Sequence, residues 1–149
     1  DIEEIVSFKD TLRLLSDIKH DFPHMTISMS PLQFSLETDV PGMGGFVYKD
    51  IFNTNLVDYF IGQFYTDYSF EAFKKCVDNG YPPEKIVMGM ESGQFTKDNF
   101  QQALDEVKKI QETYPAMCGV YDWEYLNAPP DKHDCSAWCK LMKRLVPVY

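Results

Sequence analysis

No apolar run among the 149 residues approaches the ~20 that a helix needs to cross a bilayer. The first residues show none of the basic, apolar and small-residue succession of a signal peptide. Positive charge is scarce too: 14 Lys and Arg face 23 Asp and Glu, for a net charge of −9. Nucleic acid and anionic membrane surfaces both demand a positive face, so neither is expected as a partner. No glycine-rich fingerprint follows any strand-like segment, which argues against a nucleotide site. The four cysteines lack a zinc spacing, since His133, Cys135 and Cys139 have no fourth ligand. Four residues apart on a helix, Cys135 and Cys139 are poorly placed for a disulfide; Cys76 and Cys118 are expected as buried free thiols. No metal and no cofactor are expected. Position 1 is Asp rather than Met, so the chain is expected to be processed, trimmed or a fragment.

What is present is core-forming material. Eleven Phe, nine Tyr and seven Met argue against disorder, and 44% hydrophobic content supplies one domain over residues 1–149. Steps of three and four between Phe8, Leu12, Leu15, Ile18 and Phe22 predict an amphipathic helix over 7–22, capped by Ser7 and stopped at Pro23. Strand-like runs follow at 25–30, 57–65, 85–90 and 117–123. Helices are predicted between and after them, over 70–79, 97–114 with Thr96 as cap, and 134–145. The stretch 31–55, rich in Gly and Pro at its centre, reads as a long connection with a short helix over 45–52. Such a connection is uncommon unless it is functional, and it is expected to shape one wall of a cleft.

The four strands start about 30 residues apart, the length of a βαβ unit. Their near-continuous apolar character predicts a parallel sheet buried on both faces. A small doubly wound sheet and part of a (β/α)8 barrel both fit; four such units are half of eight, and the barrel fits better. In a barrel, chemistry sits at the C-terminal ends of the strands. Those ends carry Met29 and Ser30, Gln63 and Tyr65, Met90 and Glu91, and the run Asp122-Trp123-Glu124. At the start of the chain, Asp1 and Glu3 are two carboxylates one residue apart, which on an extended segment point to the same side about 7 Å apart. Paired carboxylates suit acid–base work on a glycosidic bond. Gln and Tyr supply directed hydrogen bonds, and the Trp123 ring offers a flat floor for a pyranose.

These segments resemble the second half of the glycoside hydrolase family 18 catalytic barrel, the fold of chitinases and endo-β-N-acetylglucosaminidases. Asp1-Ile2-Glu3 is similar to the end of that family's Asp-x-x-Asp-x-Asp-x-Glu motif on strand four. Ser28-Met29-Ser30-Pro31 resembles its strand-five element, and Gln63-Phe64-Tyr65 its strand-six Gln-x-Tyr. Lys85 to Met90 and Gly119 to Trp123 match strands seven and eight. The resemblance covers essentially the whole chain and implies an α/β fold, the C-terminal half of a (β/α)8 TIM barrel from the end of strand four to helix eight. Two departures stand out: Thr66 replaces an Asn that often follows the Tyr, and the motif's first two aspartates would precede residue 1.

The resemblance also implies a mechanism, in which the substrate's own acetamido group is the nucleophile. Glu3 would be the acid, Asp1 would steer the acetamido N–H, and Tyr65 would donate to its carbonyl. Met29, Gln63 and Trp123 would bind substrate, and the peptide bond after Trp123 is a candidate for cis geometry. The implied partner is chitin or an N-acetylglucosamine-containing oligosaccharide, and the resemblance leans towards secretion. A non-hydrolytic glycan-binding lectin of the same fold is the alternative, although such members usually lose the acid that Glu3 retains. An unrelated α/β binding domain is a third reading. Alone, four strands leave open sheet edges, so the chain by itself is expected to be inactive, completed by the missing N-terminal half-barrel or by a second copy of itself.

Overall fold

The computed structural model describes residues 1–146; the last three residues of the expected 1–149 domain lie outside the described residues. The first helix, α1 (Phe8–Asp21), begins where Ser7 accepts the Asp10 N–H at 3.2 Å and ends just before Pro23. It lays Leu15 on the core, with Phe8 and Leu12 partly covered beside it. The first strand, β1 (Ser28–Met29), is shorter than the six residues expected. Beyond it the Asp58 carboxylate takes the Ile27 N–H at 2.7 Å and Lys19 at 2.7 Å, and Pro31 has no N–H to offer. Lys19, then the Ile27 N–H, hold the Asp58 carboxyl below its ordinary value.

The 31–55 connection is more ordered than expected. It contains α2 (Phe34–Glu37) as well as α3 (Tyr48–Phe52). Four residues are too few to show a helical period, which is why α2 left no trace in the pattern. Next come β2 (Tyr59–Gln63) and α4 (Phe70–Asp78), capped by Ser69 as predicted and followed by Gly80 at φ +98°. Then β3 (Ile86–Glu91) leads to α5 (Phe100–Thr113). Thr96 does not cap α5, because its own N–H is taken by the Asn99 side chain at 2.6 Å and the helix starts one residue after Asn99. The described chain closes with β4 (Gly119–Trp123) and α6 (Ser136–Leu145).

All strand pairs are parallel, and the order across the sheet is β1-β2-β3-β4. Each strand lies beside its chain neighbour with no reversal of direction along the sheet. A doubly wound sheet needs such a reversal; a barrel does not, so the order settles the choice the sequence pattern left open. Helix α4 packs against α2 and α5, and α5 against α6.

Side-chain alternation gives the sheet two unlike faces. Phe60, Ile86, Met88 and Met90 are fully buried towards the helices, and Phe60 meets Tyr48, Phe52 and Tyr81 with ring centroids 5.6–6.4 Å away. The opposite face is only half-covered, with Ile61, Gln63, Val87, Glu91 and Tyr121 of intermediate exposure. The expectation of strands buried on both faces is therefore corrected: the helices cover one face. Cys76 is buried and its thiol is pushed up by burial, but Cys118 is exposed, contrary to expectation, because it sits at the open end of the sheet just before β4. All four cysteines are free.

Gly89 is the tightest point on the half-covered face. A Cβ there would meet the Gly62 carbonyl oxygen at 2.6 Å and the Tyr121 ring at 2.9 Å. Gly89→Ala should therefore cost roughly 1–3 kcal/mol, the usual range for overpacking, read as a lower urea midpoint with an unchanged slope.

Candidate active site

The chain's first residues form no helix and pair with no strand among the described residues. They are held instead by the 42–46 segment. Val6 donates its N–H to the Gly44 carbonyl at 3.1 Å, and Ile5 lies over Gly45, whose φ of +81° permits the turn. Ile2 packs on the core, and a Cβ at Gly44 would come within 3.1 Å of it. With Ile2 turned inward, alternation leaves Asp1 and Glu3 on the other side.

Asp1 and Glu3 meet the half-covered face of the sheet in a cleft of about 330 Å³, completed by Ser30, Gln63, Tyr65, Tyr121 and Trp123. The 31–55 connection contributes no residue to its lining. That expectation is corrected: the connection acts as the clamp on the Asp-x-Glu stretch rather than as a cleft wall. A larger cavity of about 460 Å³ lies between the loops after β3 and β4, but it carries a single carboxylate, Asp131. Of these two cavities, among the described residues, the smaller is the one lined by a pair of carboxylates. Among the described residues no cluster of His, Cys, Asp and Glu could hold a metal ion.

Gln63 joins the two sides of the cleft. Its Nε2 donates to the Ser30 carbonyl at 2.8 Å and to Asp1 Oδ2 at 3.3 Å. Tyr65 is raised above the ordinary phenol value by burial first, then by its contact with the Tyr121 hydroxyl. At neutral pH it is a protonated donor. Trp123 stands 58% exposed at the cleft, and the Trp123–Glu124 peptide bond is cis, as the resemblance implied.

Of the expected site residues, Asp1, Glu3, Gln63, Tyr65 and Trp123 come together. Met29 does not. Its register partner is Phe60, so it shares Phe60's helix-facing side and is 7% exposed in the core. Met90 is in the same position on β3, fully buried. Asp122 also faces away from the cleft, towards the helices, where it is the partner of the Ser92 hydroxyl. Two cleft residues were not singled out as site residues, Ser30 and Tyr121. The signal was present in the period of two, since Tyr121 precedes Trp123 by two residues and pairs through Gly89 with Gln63.

No protein-family model and no curated protein matches the chain. Solved structures do. A fungal endo-β-N-acetylglucosaminidase from glycosyl hydrolase family 18 superposes with a TM-score of 0.87 at 23% identity, over 99% of this chain and 55% of that one. A chitinase from Aspergillus fumigatus gives 0.76 at 22% identity, over 95% and 56%. The catalytic domain of a family GH18 chitinase from the fern Peteris ryukyuensis gives 0.64 at 10% identity, over 91% and 49%. This is the fold of part of a (β/α)8 barrel. The chain spans about half the length of the proteins it resembles.

Asp122 gives this half-barrel a measurable pH signature. Burial raises its carboxyl above the ordinary 3.8, and the Ser92 hydroxyl only partly opposes that shift. In that window the folded state holds a proton that the unfolded chain has lost, so stability falls as pH rises from about 3.8 through the raised value. Asp122→Asn removes the titrating group. Its melting temperature should fall less than the parent's across that window in a pH series of thermal melts.

Proposed function

We propose that this chain carries half of a glycoside hydrolase site that cleaves β-1,4-linked N-acetylglucosamine units by a substrate-assisted, retaining mechanism. The observation that supports it most is the cleft's carboxylate inventory. Among the residues lining it, Asp1 and Glu3 are the two acids, they are one residue apart in the chain, and one of them is already engaged by Gln63. A double-displacement mechanism with an enzyme nucleophile needs two carboxyls flanking the scissile bond. A single disposable acid fits a reaction in which the substrate supplies the nucleophile.

In this reading Glu3 delivers its proton to the glycosidic oxygen as the bond to the anomeric carbon breaks. The acetamido carbonyl oxygen of the same sugar attacks that carbon and forms a cyclic oxazolinium ion. Asp1 accepts a hydrogen bond from the acetamido N–H and orients the group, while Tyr65 donates to its carbonyl oxygen. Trp123 lies under the pyranose. Glu3, now ionised, takes a proton from the water that opens the ring, which restores the acid and retains the anomeric configuration. Gln63 holds Asp1 in place from the sheet side. Met29 supports the strand from the core rather than touching sugar.

The fold is shared with chitinases and with an endo-β-N-acetylglucosaminidase, which supports this class of substrate. Because the chain covers about half of those proteins, we assign turnover to a complete barrel, with the N-terminal half or a second copy of the chain closing the sheet. Retention of Glu3 favours hydrolysis over lectin-like binding. In a complete barrel, Glu3→Gln should lower chito-oligosaccharide turnover by about 10²–10⁴-fold, the usual contribution of a general acid, while oligosaccharide binding persists. Turnover equal to the parent's would remove Glu3 from this role, and binding without turnover in the parent would point to the lectin.

A further inference from the structure

Trp123 has an unusual relation to its neighbours in sequence. The residue is 58% exposed, so little packing fixes its ring. Its two flanking residues, however, converge on one buried hydroxyl. Ser92, 1% exposed and the first residue after β3, places Oγ against Asp122 Oδ1 and, at 3.0 Å, against the Glu124 carbonyl oxygen. The same carbonyl accepts the Asn127 N–H at 3.0 Å, and Asn127 Nδ2 donates to Glu124 Oε1 at 2.9 Å. Glu124 is thus anchored on the far side of Trp123, and Asp122 on the near side.

The contacts can be counted in protons. Two oxygen–oxygen contacts meet at Ser92 Oγ, and each needs one hydrogen. The serine supplies one and the carbonyl supplies none. If Asp122 were ionised, one of the two contacts would set lone pair against lone pair. A protonated Asp122 carboxyl supplies the second hydrogen and leaves the serine's own for the Glu124 carbonyl. The surroundings suit a neutral acid: no cation is among the groups that act on Asp122, and its Oδ2 is buried without a hydrogen-bond partner. The ionisable groups that face it are phenols, Tyr68 with its hydroxyl likewise buried and unpartnered, and Tyr65 further towards the cleft.

We propose that Asp122 is a protonated positioning residue, heading a relay from its O–H to Ser92 Oγ and from the Ser92 O–H to the Glu124 carbonyl, which sets the orientation of Trp123 in the cleft. Neither Asp122 nor Ser92 Oγ touches sugar; both act through the backbone on either side of the ring. The consequence for sugar binding rests on the stacking role proposed for Trp123, whereas the relay itself does not.

The protein labelled with 5-fluorotryptophan separates these points, with the two ¹⁹F lines assigned by Trp123→Phe and Trp138→Phe. Ser92→Ala and Asp122→Ala should shift or broaden the Trp123 line and leave the line of Trp138, buried against α5, in place. Asp122→Asn, whose amide N–H can donate to Ser92 Oγ as the acid does, should keep the Trp123 line at its parent position. A Trp123 line unmoved in Ser92→Ala, or displaced as far in Asp122→Asn as in Asp122→Ala, overturns the relay. Should a variant fail to fold, the ¹³C titration of the Asp122 carboxyl in the parent decides: it should remain protonated after the exposed carboxyls have ionised, and ionisation together with them overturns the proposal. Addition of N,N′-diacetylchitobiose tests the other premise. If it leaves the parent's Trp123 line unmoved while the variants behave as expected, the sugar-floor reading falls and the relay stands.

Discussion

The in-register pairing of β2, β3 and β4 is the constraint on which the site depends. Parallel neighbours in register point the same way, so Phe60, Ile86 and their row must face the helices, and Gln63, Gly89 and Tyr121 must face away. A slip of one residue would exchange the rows, burying an amide and a phenol and exposing a phenylalanine. The large apolar residues on one face thereby guarantee that the polar and aromatic ones on the other reach the cleft. Gly89 shows how closely the two rows are fitted, because the Tyr121 ring and the β2 backbone occupy the space its side chain would take.

The two carboxylates are placed by a different device. They lie on a segment outside the sheet, and the 42–46 turn, with its backbone bond to Val6 and its contacts to Ile2 and Ile5, aims them. Gln63 then ties Asp1 to the strand face, so that the sheet and the N-terminal stretch hold a common geometry. The two carboxylates come from a clamped segment, and the amide, the phenols and Trp123 from the strands and their ends. Polar groups behind Trp123 are just as constrained. The Ser92 hydroxyl draws the loop after β3 onto the end of β4, where both neighbours of Trp123 are anchored.

Much of this was legible in the residues. Five of the six expected site residues converge, because strand-end position and a period of two are strong guides in a parallel sheet. Met29 lies in the core for the same physical reason that Gln63 reaches the cleft. Parity along a two-residue strand decides between core and cleft, and the side on which Met29 falls is set only by its pairing with Phe60. Ser30, at a strand end, and Tyr121, two residues before Trp123, carried the same positional signal. The short helix α2 was hidden because four residues are too few to show a period, and the true start of α5 because the Asn99 side chain takes the Thr96 N–H.

The chain's own residues determine the alternation of strand and helix, the apolar stripes that join them, and the types of side chain available for chemistry. These are consequences of periodicity and propensity, which act over a few neighbours. Tertiary structure decided the order of the strands without reversal, the parity of each strand face, and the use of the 31–55 connection as a clamp. It also brought Ser92 and Asp122, 30 positions apart, into one buried relay. Each of those depends on contacts between distant segments, and no local pattern in the sequence specifies which pair will meet.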